Sequence, residues 1–299
     1  MNRRTFIVSS AFTAASAVLP FAPSHLFGAL MQEQSLTDEQ LCKQKFDFAL
    51  AQSLAGRPIN EVIVEIGKTF LGIDYGANLL DTEGEEKLVV NLRALDCVTF
   101  YENCVTLARC IKMKKTTFND YLAQLQFLRY RNGKIDGYPS RLHYTTDYWH
   151  NAEEKGILKV VTSEIFGENN VKEFPKPINF MSTHRDSYKH LKINDVNWKS
   201  IKAQEDAINS RKEYFLPKGN LHMFADKVNH GDLIGIVTNI AGLDISHTGI
   251  AVRIDGKLRY MHAPNVGKKV QITEGTLHEY LALNSRQTGI IVARVSEVE

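Results

Sequence analysis

Apolar residues recur every three to four positions along the first part of this chain and every second position along its last third. The first pattern predicts helices. "SLTDEQLCKQKFDFALAQSLAG" (35–56) reads as one, with Thr37 and Gln40 spaced as a capping box and Gly56–Pro58 ending the run. "INEVIVEIGKTFL" (59–71) reads as a second helix, ending at Gly72. A loop with Tyr75 and a short extended piece follows, and then "ALDCVTFYENCVTLARC" (94–110) and "TFNDYLAQLQFLRYRNG" (117–133) read as a third and a fourth helix. From Lys134 to about Leu216 the periodicity weakens. There "KIDGYPSRLHYTTDYWHNAEEKGIL" is aromatic, polar and Gly-containing, which suits an inserted binding lobe better than a core element.

The second pattern predicts strands at "DLIGIVT" (232–238), "HTGIAVRI" (247–254), "KLRYMHA" (257–263), "KKVQIT" (268–273) and "TGIIVARV" (288–295). Asp255–Gly256 separates two of them as a hairpin turn. Helices first and an antiparallel sheet afterwards predict an α+β fold. The expected organisation is a single domain over residues 31–299, with an inserted lobe at about 134–216.

Three of the four cysteines fall on the third helix. Cys97 and Cys104 share a face but stand roughly 10 Å apart along the axis, and Cys104 and Cys110 about 9 Å apart on different sides. Both separations exceed the Cα spacing a disulfide needs. No His or Cys stands at an i,i+4 offset from Cys97, so a metal held by this helix alone is not expected. A disulfide from Cys42 to Cys104 or Cys110 stays open beside the simpler role of small core hydrophobes. Cys97 differs from the others. Asp96 can cap the helix, placing Cys97 in the first turn, where the positive end of the macrodipole favours a thiolate and free backbone N–H groups face the same space. Those are the requirements of a thiol nucleophile beside an oxyanion site, although buried cysteines at helix starts are also common.

If Asp255 and Gly256 alone form the turn, Ile254 pairs with Lys257 and Gly249 with His262. His247 then shares a face with His262 one diagonal step away, roughly 7 Å between Cα atoms. Thr248, Ile250, Val252 and Ile254 alternate onto the other face, which can be the core side. His247 as a base oriented by His262 is one reading; two strand histidines with no common role is the other. Asp244 can orient His247 instead, or simply form a turn.

Composition and charge remove some function classes. The 299 residues are 43% apolar, enough for a large core, and the formal net charge of +2 is mixed along the chain. Nothing in that balance suggests a nucleic-acid partner, and no Gly-rich nucleotide motif is present. "MNRRTFIVSSAFTAASAVLPFAP" places Arg3 and Arg4 before an apolar run that Pro20 and Pro23 close. The run is too short for a bilayer of roughly 30 Å and reads as an export signal over residues 1–30, leaving no membrane span after its removal. An exported, periplasmic protein is the expectation.

An Asp-Cys dipeptide opening a helix, a distant strand starting His-x-Gly and a His-Ala on the next strand form a recognisable set. Here they are "DCVTF" (96–100), "SHTGIAV" (246–252) and "MHA" (261–263). The set resembles the NlpC-type papain-like cell-wall hydrolases. "RYRNGKIDGYPSRLHYTTDYW", "INFMSTHRDSY" and "GDLIGIVTNIAGLDISHTGIAV" are similar to the N-acetylmuramoyl-L-alanine amidase-like branch, over most of the chain from about Leu54. The resemblance implies a papain-like fold, a Cys97 nucleophile, His247 as base, His262 as its orienting partner and no metal or cofactor. It also implies that Tyr75, after the Gly-x-x-Tyr turn of "LGIDYG", helps to hold an oxyanion. Its substrate would be a peptidoglycan fragment, cut between N-acetylmuramic acid and L-alanine. An endopeptidase acting within the peptide stem and a non-catalytic cell-wall binding module are the rivals. Val98 and Thr99 stand where many relatives have Ser-Gly, which is expected to reshape the pocket floor. In the lobe, Arg141 can bind a carboxylate of the stem and Tyr138 and Tyr144 can stack on a sugar, with His143 a further substrate-binding candidate, or the four can pin their own loop.

Overall fold

Capping residues start the helices where the sequence places them. In the computed structural model, which describes residues 36–265 and 268–298, Thr37 opens α1 (Asp38–Ala51). Its hydroxyl accepts the Gln40 N–H at 3.2 Å, and the Gln40 side chain accepts the Thr37 N–H at 2.9 Å. Helix α2 (Ile59–Lys68) follows Pro58. Two-residue strands β1 (Asp74–Tyr75) and β2 (Ala94–Leu95) then pair in parallel. Asp96 opens α3 (Cys97–Lys112), and a Thr117–Asp120 capping box opens α4 (Phe118–Arg129). After these come α5 (Thr145–Glu154), β3 (Leu158–Val160), β4 (Lys172–Glu173), α6 (Asp195–Ser210) and β5 (Tyr214–Pro217). The last third contributes β6 (Leu233–Thr238), β7 (Ile245–Ile254), β8 (Lys257–His262), β9 (Gln271–Ile272), α7 (Leu277–Ala282) and β10 (Gln287–Val295). The leader expected over residues 1–30 lies outside the described residues. Among those described, no helix is long and apolar enough to cross a membrane.

The strands after β2 form one antiparallel sheet in the order β4–β5–β10–β6–β7–β8–β9, with β3 also on β10. The α+β class expected from the sequence is therefore present. Asp255 and Gly256 have φ of 50° and 74°, the doubly positive turn that matches strand twist, and Ile254 faces Lys257. A bulge sits instead where β6 shifts register, from Ile236 opposite His247 to Val237 opposite Ile245, so Ser246 is the extra residue. Bulges of this kind re-aim the neighbouring side chain, here His247.

Both faces of the sheet are covered. Thr248, Ile250, Val252 and Met261 are buried on the side that meets α3, which also packs on α2 and α4. Gly67 on α2 explains how close these layers come: a Cβ there would lie 2.4 Å from the Met261 methyl and 3.6 Å from Cys104 Sγ. The opposite face carries Ile234, Ile236, Ala251, Tyr260, Ile290 and Val292, closed by Leu277 and Leu281 of α7. All four cysteines are free, and Cys42, Cys104 and Cys110 are buried, as small core hydrophobes would be.

The segment from 134 to 216 differs from the lobe its composition suggested. It supplies β3 and β5 to the edge of β10, and Tyr148, Trp149 and Leu216 to the interior. Its strands are too short to show a period, and its longest helix, α6, buries only Ile201, Glu205 and Ile208, too thin a stripe to stand out. A buried ion pair ties the helical layer together. Glu102 on α3 accepts from Arg129 Nη2 at 2.6 Å and Arg129 Nε at 3.0 Å, and from the Tyr148 hydroxyl on α5 at 2.9 Å.

Candidate active site

Cys97 is the first residue of α3, and its surroundings are set by the cap in front of it. Asp96 Oδ1 accepts the Thr99 N–H at 2.7 Å, and Thr99 Oγ1 accepts the Asp96 N–H at 2.9 Å. Thr99 is thus spent on the helix start and is buried. It does not line the pocket, and neither does Val98, so the pocket-floor role expected for this pair is not what the structure shows. Across the gap to the sheet, the Thr248 hydroxyl donates to the Cys97 carbonyl at 2.9 Å. That bond locks the start of α3 against β7 one residue from His247.

The two histidines meet. His247 Nε2 lies 2.7 Å from His262 Nδ1, with ring centroids 5.0 Å apart and planes at 81°. The diagonal relation of the strands brings this about: Ile250 faces Met261, so His247 and His262 fall on one face of the hairpin. With Nε2 of His247 engaged, Nδ1 is the nitrogen left for proton transfer. Tyr260, two positions before His262 on the same face, packs 5.8 Å from His247 and 4.8 Å from His262.

Tyr75 reaches the same place from far along the chain. Eighteen residues, 76–93, intervene before β2, yet the parallel pair sets Tyr75 opposite Leu95, two residues before Cys97. A loop whose ends are pinned side by side costs little more when lengthened. Tyr75, Cys97, His247 and His262 all line one cavity of about 720 Å³, together with Ser246, Asn265, Thr273, Glu279, Tyr280 and Gln287. Sequence reasoning did not find Tyr280 and Gln287. They stand on α7 and at the start of β10, where no local spacing marks them. Tyr260 had a signal, its same-face offset from His262. Among the described residues no group of three or more His, Cys, Asp or Glu is placed to hold a metal ion.

Four expected substrate-binding residues are placed elsewhere. Tyr138, Arg141, His143 and Tyr144 do not line this cavity, and the polar side chains of the last three are occupied by the protein itself. Arg141 Nη2 donates to Asp81 at 2.7 Å, and its Nε is 3.2 Å from Glu86. His143 Nε2 donates to the Tyr138 carbonyl at 3.0 Å, and the Tyr138 ring stacks between His143 and His190 at 4.4 and 4.6 Å. The Tyr144 hydroxyl donates to Glu205 at 2.7 Å and accepts the Met181 N–H at 2.8 Å. These residues pin their own loop. Asp244 likewise holds Thr146, accepting its N–H at 2.9 Å and its hydroxyl at 3.0 Å, and does not orient His247.

Burial sets the protonation states. It pushes the Cys97 thiol up to about 11, aided by the Asp96 charge and opposed by hydrogen bonds from Thr248. The thiolate that a helix N-terminus favours is therefore not the resting form. Loss of solvation outweighs the macrodipole at this site. Burial lowers His247 to about 4 and, with the His247 charge, His262 to about 3, so both rings are neutral at pH 7. Burial and then the Cys97 and Asp96 charges raise Tyr75, which keeps its hydroxyl a donor. Alkylation of Cys97 by iodoacetamide should then climb about tenfold per pH unit between pH 7 and 10, since only the thiolate reacts. A rate that levels off near pH 7 would instead mean a resting thiolate–imidazolium pair. Label should stay on the half-buried Cys97, because Cys42 and Cys110 are buried and pushed to about 12.

Comparison with known proteins gives this geometry its relatives. The AmiA-like family, described as N-acetylmuramoyl-L-alanine amidase-like, matches residues 65–290, a span that contains all four polar groups of the cavity named first. A solved N-acetylmuramoyl-L-alanine amidase from Bacteroides uniformis is 33% identical, with a TM-score of 0.75, covering 80% of this chain and 99% of its own. A proposed xylanase from Bacteroides fragilis is 35% identical, with a TM-score of 0.71, covering 76% and 98%. A Legionella pneumophila protein is alike in fold at 19% identity and a TM-score of 0.63, covering 90% and 96%. No match was found among curated proteins. The chain belongs to the AmiA-like, N-acetylmuramoyl-L-alanine amidase-like family.

Proposed function

We propose that this protein is a cysteine amidase of papain-like architecture that cleaves the bond between N-acetylmuramic acid and L-alanine in peptidoglycan fragments, and that it works after export, in the periplasm. The observation that carries the mechanism is the 2.7 Å contact between His247 and His262 in the cavity that Cys97 lines. Cys97 Sγ attacks the amide carbonyl carbon as Nδ1 of His247 takes the thiol proton. The oxyanion is held by the Tyr75 hydroxyl and the Cys97 N–H, which the helix start leaves free of an intrahelical partner. His247 returns the proton to the leaving L-alanine nitrogen, the C–N bond breaks, and a thioester remains on Cys97. Water, deprotonated by the same ring, then releases the sugar acid. His262 keeps His247 oriented throughout.

A glycoside-hydrolase reading, which the name of the Bacteroides fragilis protein raises, needs two carboxyl groups about the bond, one of them kept protonated. The cavity's two carboxyl side chains, Glu274 and Glu279, are both solvent-exposed, so burial keeps neither of them protonated. The N–H and hydroxyl of Thr276 donate to Glu279 at 2.7 and 3.0 Å and hold it below the usual carboxylate range.

Mass spectrometry of a defined muropeptide mixture separates the hydrolase readings. Release of an intact stem peptide and a peptide-free sugar is the expected result. A sugar still carrying a shortened stem would replace the amidase with an endopeptidase, and unchanged masses together with retained fragment binding would leave a binding module.

A further inference from the structure

Two neutral imidazoles joined by one hydrogen bond have two proton arrangements. In the first, His247 donates its Nε2–H to Nδ1 of His262. His262 then carries its own proton on Nε2, and Nδ1 of His247 is a bare lone pair able to take the thiol proton. In the second, His262 donates from Nδ1, its Nε2 is bare, and His247 is protonated on Nδ1 and cannot act as a base there. The arrangements differ in what His262 presents at Nε2. That atom is buried, and no polar atom of the described residues bonds to it. The His262 ring meets the Tyr280 ring at 74° with centroids 5.0 Å apart. An aromatic face is negative, so it attracts an N–H aimed at it and repels a lone pair. Tyr280 is itself held in place on α7, against Tyr260 at 5.6 Å, and the Gln287 side chain lines the same cavity beside it.

The geometry points to Tyr280 as a positioning residue whose ring receives the His262 Nε2–H and so selects the proton arrangement in which Nδ1 of His247 is the base. The inference rests on the amidase reading for its consequence, but not for its test. The ring is the working part, not the hydroxyl.

Nitrogen NMR of histidine-labelled protein reads the arrangement without substrate, with His247→Gln and His262→Gln assigning the resonances. The expected wild-type spectrum has the His262 proton on Nε2, with the same signature in Tyr280→Phe, which keeps the aromatic face. Tyr280→Leu should shift the ratio of the two arrangements by about tenfold and lower kcat more than it alters KM. A wild-type proton on Nδ1 of His262 overturns the proposal, and so does an unchanged signature in Tyr280→Leu. If Tyr280→Leu does not fold, Tyr280→Met, which fills the site without an aromatic face, takes its place and should shift the ratio in the same direction. A protein with the expected spectrum that cleaves no muropeptide would refute the amidase reading while leaving the proton arrangement standing.

Discussion

Replacing Cys97 by Ala should lower muropeptide hydrolysis by a factor on the order of 10⁴ or more, because the whole covalent route is lost and only oxyanion stabilisation and binding remain. The side chain is half-buried and at the first position of α3, while the cap that starts the helix belongs to Asp96 and Thr99. Folding should therefore be nearly unchanged, within about 1 kcal/mol. Paired measurements of turnover and urea midpoint check both halves of the expectation. A variant that folds normally and keeps more than a few per cent of the activity would remove Cys97 from the chemistry. Cys97→Ser should rescue little, since a buried hydroxyl beside Asp96 is harder to ionise than the thiol.

The largest effect on stability is expected from Glu102→Ala. Glu102 and Arg129 are both almost wholly buried, and the carboxylate also accepts the Tyr148 hydroxyl, so one truncation strands a guanidinium and a phenol in the helical layer. Breaking a buried pair from one side costs about 3–5 kcal/mol, most of it the uncompensated charge. In a domain of this size that is a fall of about 10 °C in thermal midpoint. Changing both partners, Glu102→Met with Arg129→Met, should recover much of the loss, because the desolvated charges disappear together. A single-variant cost below about 1 kcal/mol would mean that water reaches Arg129 and the pair does not tie α3 to α4 and α5.

The legible parts of the sequence were those in which a local interaction dictates geometry. Thr37 and Gln40, Thr117 and Asp120, and Asp96 begin helices because a side chain satisfies backbone N–H groups within one turn. Asp255–Gly256 fixes the β7–β8 register because few residues tolerate two successive positive φ values, and that register alone places His247 and His262 on one face. The five strands of the last third lie where alternation put them, though β9 is only two residues long.

Residues 134–216 were illegible for a physical reason. β3, β4 and β5 are two to four residues long, too short to show a period, and become strands only when β10 is present to pair with them or with their neighbours. The same dependence left two roles open for Arg141, His143 and Tyr144. Their types suit ligand binding, but Asp81, Glu86 and Glu205, which take up Arg141 and the Tyr144 hydroxyl, come from distant parts of the chain, and His143 is held by the Tyr138 carbonyl within its own loop.

By itself, then, the sequence determined the α+β class, the cap that presents Cys97 and the facing of the two strand histidines. Each depends on groups within a few residues of one another or on a two-residue turn. Tertiary structure decided the rest: that Tyr75 reaches Cys97 through a parallel pair of strands, that Tyr280 closes over His262, and that Cys97 rests as a thiol. The first two are contacts across long stretches of chain. The last is a matter of solvation, which no spacing of residues encodes: a helix start favours a thiolate only while water or a counter-charge can support it, and the packing of α3 against β7 removes that support.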